Sequence, residues 1–358
     1  MPDLAAEAAA RPRTRVDVVD LLTAMLAVPS VSGDEDALSA MLVWRLLDAG
    51  FDVDVDAVGN VIAAWGDGPE TIALVGHVDT VPGHIEARRD GGVLHGRGAV
   101  DAKGPLAAAI AAVSRQPRDG GRRFVVVGAV QEETTSRGAH HLATSMAAPH
   151  GLVILEPSGS DAVTIGYKGS LRLRASFAQP QAHSAGREPS AADRCIDVVR
   201  ALQDCARAPS RDAGVFDRVD VRVLRVGSEH DGLVDRATVD IGLRTPPGCD
   251  VGALLDIARS TGGSGEVTVL SQTPGVRTRR DSPLARGLIR AIRAAGGAPR
   301  FKLKTGTSDL NVLAPAWACP AVAYGPGDSG LDHTPEERVS IAELERAVDV
   351  LALALGDR

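Results

Sequence analysis

Aromatic residues are scarce in this chain, with 5 Phe, 3 Trp and 2 Tyr among 358 residues. Its core must therefore be built from Ala, Val, Leu and Gly. Cysteine is also sparse: Cys195, Cys205, Cys249 and Cys319 form no C-x-x-C pair and follow no secretory leader, which argues against a disulfide framework or a thiolate zinc site. They are expected to pack as small hydrophobes. No apolar run is long enough to span a bilayer. The segment Met1 to Arg15 is rich in Ala and Arg but carries Asp3 and Glu7 and has no apolar h-region, so no signal peptide is expected and the expected location is the cytoplasm. Positive charge is not concentrated either. The net charge is -7 with Lys and Arg dispersed, which argues against nucleic acid as the main partner because phosphate binding needs a basic face.

A chain of 358 residues exceeds the usual span of one hydrophobic core, so two domains are expected. Amphipathic helices are predicted over Val16 to Ala27 and Asp34 to Ala49, the second followed by Gly50 where a left-handed cap is least strained. Short apolar or alternating runs then predict strands at Asp52 to Asp56, Val61 to Trp65, Thr71 to Val75, Phe124 to Val130 and Gly151 to Leu155. An alanine-rich helix is predicted over Lys103 to Gln116. Unbroken apolar strands alternating with helices imply an α/β sheet covered on both faces. From Gly169 to about Gln272 the order becomes β-α-β-β-α-β, that of a ferredoxin-like α+β unit. Between Ile165 and Gly275 there are 14 Lys plus Arg and 14 Asp plus Glu, so the net negative charge falls on the remainder. The pattern then returns to a helix at Pro283 to Ala295, a strand at Ala321 to Tyr324 and a helix at Ile341 to Leu355. The expected domains are 1–165 and 276–358 as one discontinuous catalytic, metal-binding domain, with 166–275 as the insert.

Chemistry concentrates at strand ends and a helix start. GHVDTVPG carries His77 and Asp79, GRGAVDAKG carries Asp101, QEETTSRGAHHL carries Glu132 and Glu133, LEPSG carries Glu156, and GLDHTPEE carries His333. Open α/β sheets place their sites beyond the carboxyl ends of their strands. Each residue alone has a plainer reading: incidental polarity for His77-x-Asp79, a helix cap for Asp101, a solvated turn for Glu132 and Glu133. Their joint placement favours a site. Two His and three carboxylates, with no thiolate, suit two divalent ions sharing one carboxylate, Zn²⁺ foremost and Co²⁺ or Mn²⁺ as alternatives. Such a pair can polarise a carbonyl and acidify a water, which is amide-hydrolysis chemistry. Residues i and i+2 of a strand share a side, so the Asp79 carboxylate could orient His77.

These motifs, in this order and with Ala-His-Ser-Ala inside the insert, resemble the zinc aminoacylase family that includes acetylornithine deacetylase, succinyl-diaminopimelate desuccinylase and carboxypeptidase G. The resemblance runs from about Val16 to the end. It implies a zinc-peptidase-like mixed sheet flanked by helices, with the insert as a lid and dimerisation domain, and two divalent ions per chain. It further implies that Asp101 bridges the ions, His77 and Glu156 complete one site, Glu133 and His333 the other, and Glu132 is the general base. A cis peptide after Asp101 is implied as well. His183 matches the insert histidine that donates to the oxyanion, often across a homodimer interface, although a loop histidine is the plainer reading. Arg244 matches the group that grips a substrate carboxylate, against an ordinary surface arginine.

The loop Lys304 to Asn311, with Gly306, Thr307, Ser308 and Asp309, is similar to the subgroup that releases lysine or ornithine from an α-N-acyl form. The acyl group there is acetyl or the C-terminal glutamate of a small acidic amino-group carrier protein. Asp309 would face the substrate amine, or else cap the next helix. Arg277, Arg279, Arg280, Arg300, Lys302 and Lys304 form a basic group suited to an acidic carrier, or a solvated face. A desuccinylase or a dipeptidase or carboxypeptidase remains the alternative within the family, and a catalytically silent binding protein the alternative outside it.

Overall fold

Asp17 starts the first helix, its carboxylate accepting the amides of Val19 and Asp20 at 2.9 and 3.0 Å. Helix α1 (Val18–Leu26) turns Leu21, Leu22 and Met25 inward, and α2 (Asp36–Asp48) turns in Leu38, Leu42 and Leu46. Gly50, at φ +90°, carries the chain out of α2. The computed structural model describes residues 15–183, 185–207 and 214–356, and it divides into two units. The start of the chain at residues 1–14, and Ser184 of the Ala-His-Ser-Ala segment, lie outside the described residues. Among the described residues no helix is long and apolar enough to cross a membrane.

The first unit, 15–165 with 278–302 and 308–356 among the described residues, holds the mixed sheet. Its strands begin with β1 (Asp52–Val55), β2 (Val61–Trp65) and β3 (Glu70–His77). A small hairpin follows, β4 (Arg88–Asp90) and β5 (Val93–His95), then helix α3 (Lys103–Val113), β6 (Arg122–Ala129), α4 (Arg137–Ser145), β7 (Gly151–Ile154) and β8 (Ala162–Tyr167). Every residue of α3 is buried, which its run of alanines permits because small side chains let neighbouring helices approach closely. Its amino end is crowded: a Cβ on Gly104 would stand 2.3 Å from the Ala99 carbonyl oxygen, so no larger residue fits the turn after Asp101.

The second unit, 166–277 with 303–307, contains β9 (Gly169–Pro180), α5 (Ala191–Arg207), β10 (Asp220–His230), β11 (Val234–Thr245), α6 (Val251–Gly262), β12 (Glu266–Thr273) and β13 (Val276–Arg277). Its four-stranded antiparallel sheet has the order β10-β11-β9-β12, the ferredoxin-like arrangement of a β-α-β-β-α-β chain. Period-two alternation aims Leu171, Leu173 and Ala175 of β9 and Val239, Ile241 and Leu243 of β11 at Val198, Leu202, Leu254 and Ala258 of the two helices.

The chain then returns with α7 (Pro283–Ala294), β14 (Arg300–Lys304), α8 (Leu310–Trp317), β15 (Ala321–Ala323), β16 (Arg338–Ser340) and α9 (Ile341–Gly356). Ser282 caps α7 by accepting the Ala285 amide at 3.2 Å, and Pro283 follows at the first helical position. Strand β15 inserts between β7, to which it is parallel, and β8, giving the order β1-β2-β6-β3-β7-β15-β8. The sequence reading missed α4 and α8 and the strands β4, β5, β8, β13, β14 and β16. Helix α4 is poor in helix formers and rests on buried Ala139 and Leu142, while α8 contains Pro315. Strand β14, Arg-Phe-Lys-Leu-Lys, was read by its charge rather than its alternation.

Candidate metal centre

His77 closes β3 with its side chain 1% exposed. Its Nδ1 lies 2.9 Å from the carbonyl oxygen of Asp79, an acceptor only, so Nδ1 carries a proton and Nε2 is the nitrogen turned to the cluster. That nitrogen faces Asp101 Oδ1 at 3.1 Å and Glu156 Oε1 at 3.9 Å. Two carboxylates around it call for positive charge there, a proton or a divalent ion: burial lowers the imidazole, but its hydrogen bonds to Asp101 and Asp79 hold it well above its ordinary range, and the nitrogen and oxygen donors suit a divalent ion. The site asks for positive charge.

Asp101 is not a helix cap. Ala102 occupies that position without any side-chain cap, the Asp101–Ala102 peptide is cis, and the Asp101 carboxylate is turned to the cluster. Its oxygens divide: Oδ1 faces His77, whereas Oδ2 lies 3.2 Å from His333 Nε2. His333 Nε2 is also 2.9 Å from Glu133 Oε1. Two triads result, His77/Asp101/Glu156 and Asp101/Glu133/His333, each with its donor atoms within 4.8 Å of one another. Burial would raise the Asp101 carboxyl, but His333 and His77 hold it well below the usual carboxylate range. His333 responds in kind, its imidazole raised to about 10 by Asp101 and Glu133.

Asp79 does something the H-x-D pattern did not suggest. Its carbonyl, rather than its carboxylate, is the near partner of His77, with Oδ1 at 3.4 Å from Nδ1. The carboxylate instead accepts the backbone amides of Glu132 at 3.0 Å and Glu133 at 3.1 Å, and the Ser32 hydroxyl at 2.7 Å. Glu35, also missed, accepts the Gln131 amide at 3.2 Å, where φ is 59°. So two buried carboxylates fix the turn after β6, and that turn sends neighbouring glutamates apart. Glu133 meets His333. Burial drives the Glu132 carboxyl well above its ordinary range, His77 opposes this, and Glu156, Asp309 and Asp101 add to it.

The remaining sequence candidates divide between the two units. Arg244 and Thr307 belong to the second, where Arg244 Nη1 donates to Thr307 Oγ1 at 3.4 Å, with Gly306 beside them in the same groove lining as Arg244. Ser308 and Asp309 belong to the first. Ser308, not Asp309, caps α8, accepting the Leu310 amide at 3.2 Å. Asp309 is 2% exposed and burial pushes its carboxyl up to about 6. His183 is exposed, and its Nδ1 accepts the Ala185 amide at 3.1 Å. The basic group around the chain's return is largely spent on its neighbours. Arg277 binds Asp217 and lies over Phe216, Arg279 binds Asp281, Lys302 donates to the Ser158 carbonyl, and Lys304 sits 5.8 Å above the Tyr167 ring.

A family model, that of peptidase family M20/M25/M40, matches residues 73–357. The [LysW]-lysine hydrolase of Deinococcus radiodurans is 45% identical over 345 residues, covering 94% of this chain and 95% of that one. The [LysW]-lysine/[LysW]-ornithine hydrolase of Saccharolobus islandicus is 28% identical over 292 residues, covering 81% and 82%. Among solved structures, a tripeptidase from Staphylococcus aureus shares the fold with a TM-score of 0.78 at 17% identity, over 96% of this chain and 99% of that one. With these likenesses spanning both the triads and the chain that surrounds them, the protein belongs to peptidase family M20/M25/M40, and it is a metal-dependent amidohydrolase.

Proposed function

We propose that this enzyme releases lysine or ornithine from an α-N-acylated form carried on the acidic protein LysW, in lysine or arginine biosynthesis. The observation that carries the hydrolytic part is the Asp101 carboxylate, shared by two triads through its two oxygens. The names of its relatives support the substrate. His77, Asp101 and Glu156 would hold one ion and Asp101, Glu133 and His333 the other, with Zn²⁺ foremost and Co²⁺ the alternative for this nitrogen and oxygen donor set. Bound there, the ions polarise the scissile carbonyl and acidify the attacking water. Glu132, half-buried and with its carboxyl raised well above the ordinary carboxylate range, would take the proton of that water and pass it to the leaving amine. His183 donates to the oxyanion, and Arg244 fits a substrate carboxylate as a two-pronged donor.

The acidic carrier finds a counterpart in the second unit. A groove of about 790 Å³ there is lined by Arg172, Arg218, Arg222 and Arg244, and its one carboxylate among the described residues, Asp220, is bonded to buried Lys168. Burial and the charges of Arg172 and Arg222 lower the Arg244 guanidinium, a sign of cations gathered without anions between them. We therefore expect lysine release from the carrier-linked substrate to be slowed by salt, and Arg172→Glu with Arg222→Glu to lower its kcat/KM by roughly 10-fold or more. N-acetyl-lysine hydrolysis should change little in both comparisons. Steady-state assays on the two substrates decide this, and efficient hydrolysis of N-acetylated neutral amino acids with basic ones ignored would overturn the substrate reading.

A homodimer is proposed as well. Strand β10 is a sheet edge of 11 residues exposing Val223, Leu224 and Val226, the kind of edge that a second copy can cover. His183→Ala should depress turnover with metal content and fold intact. If His183 acts across the dimer, mixing inactive His183→Ala and Glu132→Gln chains restores activity; verified mixed dimers without rescue would place the donor within one chain. The four free thiols suit a reducing compartment, the cytoplasm.

A further inference from the structure

Outside the triads, one ion pair, Arg97 with Glu337, touches the segments that carry three of their members. Glu337 is 1% exposed. Its Oε1 accepts the backbone amides of Val100 at 3.0 Å and Asp101 at 3.1 Å, and its Oε2 accepts Arg97 Nη1 at 2.8 Å. Arg97 goes further, donating from Nη1 to the Thr334 carbonyl at 3.2 Å and from Nε to the Gly83 carbonyl at 3.1 Å. The pair thus ties together the loop after His77, the approach to Asp101, and the turn that follows His333. The next residue, Arg338, begins β16 and pairs with His95 of β5.

A buried ion pair is weak evidence for stability, since its desolvation offsets much of its attraction and apolar packing could serve as well. What an apolar pair could not do is satisfy two adjacent amides, the buried one of Val100 and the part-buried one of Asp101, which need an acceptor. His333 has most need of such support, for its side chain is 49% exposed and its φ is 62°. It stands at the tip of a turn closed locally by the Thr334 amide and hydroxyl on the Leu331 carbonyl, and lies in no helix or strand. We propose that the Arg97–Glu337 pair is a positioning element for the Asp101/Glu133/His333 triad, holding the His333 turn at the distance from Asp101 that a divalent ion requires. This rests on the reading of both triads as metal sites.

The test is metal binding. Metal-free wild-type, Glu337→Gln and Arg97→Lys chains are titrated with Co²⁺ by calorimetry and visible absorption, beside His333→Ala and Asp101→Ala, and the thermal midpoint of each metal-free chain is recorded. In Glu337→Gln one binding step should keep its wild-type affinity. The other, the step that His333→Ala abolishes, should weaken by roughly 10-fold or more, the scale of losses when a ligand's supporting partner is removed. Arg97→Lys, which cannot span the Glu337 carboxylate and two carbonyls, should weaken the same step and decides the matter if Glu337→Gln does not fold. Wild-type affinities at both steps, or equal weakening of both in line with a lowered thermal midpoint, would overturn the proposal. Should Asp101→Ala bind two ions like wild type, the metal-site reading itself fails. Loss of both ions in Asp101→Ala with unchanged titrations of Glu337→Gln and Arg97→Lys sinks the positioning role alone.

Discussion

Asp101→Ala should lose both metal ions and all measurable hydrolysis. The expectation follows from how the carboxylate is divided, with Oδ1 3.1 Å from His77 and Oδ2 3.2 Å from His333. Each triad keeps only two donors once Asp101 is gone, His77 with Glu156 and Glu133 with His333. Two protein donors are fewer than the three or four that zinc sites use. The deletion also brings a second change: His333, whose imidazole is raised to about 10 by Asp101 and Glu133, loses the larger of these partners and returns toward an ordinary histidine. Elemental analysis after dialysis checks the claim, with His77→Ala as a comparison that should empty chiefly one triad. A chain that keeps two tightly held ions and normal turnover after Asp101→Ala would refute the bridging role.

Glu132→Gln should behave in the opposite way, keeping both ions while turnover falls by roughly 10² to 10⁴-fold, the usual contribution of a general base. The amide side chain preserves shape and removes only the capacity to take a proton. Glu132 belongs to neither triad, and its backbone amide would still be held by Asp79. Glu133→Gln, one residue on, should instead loosen the ion shared with His333. Single-turnover rates paired with metal analysis separate the two. If both variants lose metal to the same extent, the division of labour between the adjacent glutamates is wrong.

Much of this was legible in the sequence because the ligating residue types sit at the ends of apolar strands, and a strand end is easy to read. His77 follows Ile-Ala-Leu-Val-Gly, and Glu132 and Glu133 come soon after Phe-Val-Val-Val-Gly-Ala-Val; both strands form as expected, β3 starting one residue earlier and ending two later, β6 starting two earlier and ending one earlier. The supporting groups were not legible. Asp79, Glu35 and Glu337 act on backbone amides of residues far away in the chain, and nothing in a carboxylate's neighbours says which distant amide it will meet. Glu337 was in view within Gly-Leu-Asp-His-Thr-Pro-Glu-Glu, yet adjacent Glu336 is exposed, and only burial tells the two apart. The same holds for Ser308 and Asp309, where the serine took the capping role and left the aspartate buried.

The position of β15 bears on how the protein is made. A ribosome delivers Gly151–Ile154 and Ala162–Tyr167 long before Ala321–Ala323, the strand that lies between them. Throughout that interval two eventually buried strands, β7 wholly apolar and β8 nearly so, each lack a neighbour, and nascent chains on one message present matching edges to one another. Long-range pairing of this kind closes slowly. His333 lies only ten residues beyond β15, so the strand that fills the gap and the last member of the second triad are supplied by the same stretch of chain. The proposed second ion site needs His333 beside Asp101 and Glu133, so a chain released before that residue would lack one of the three donors.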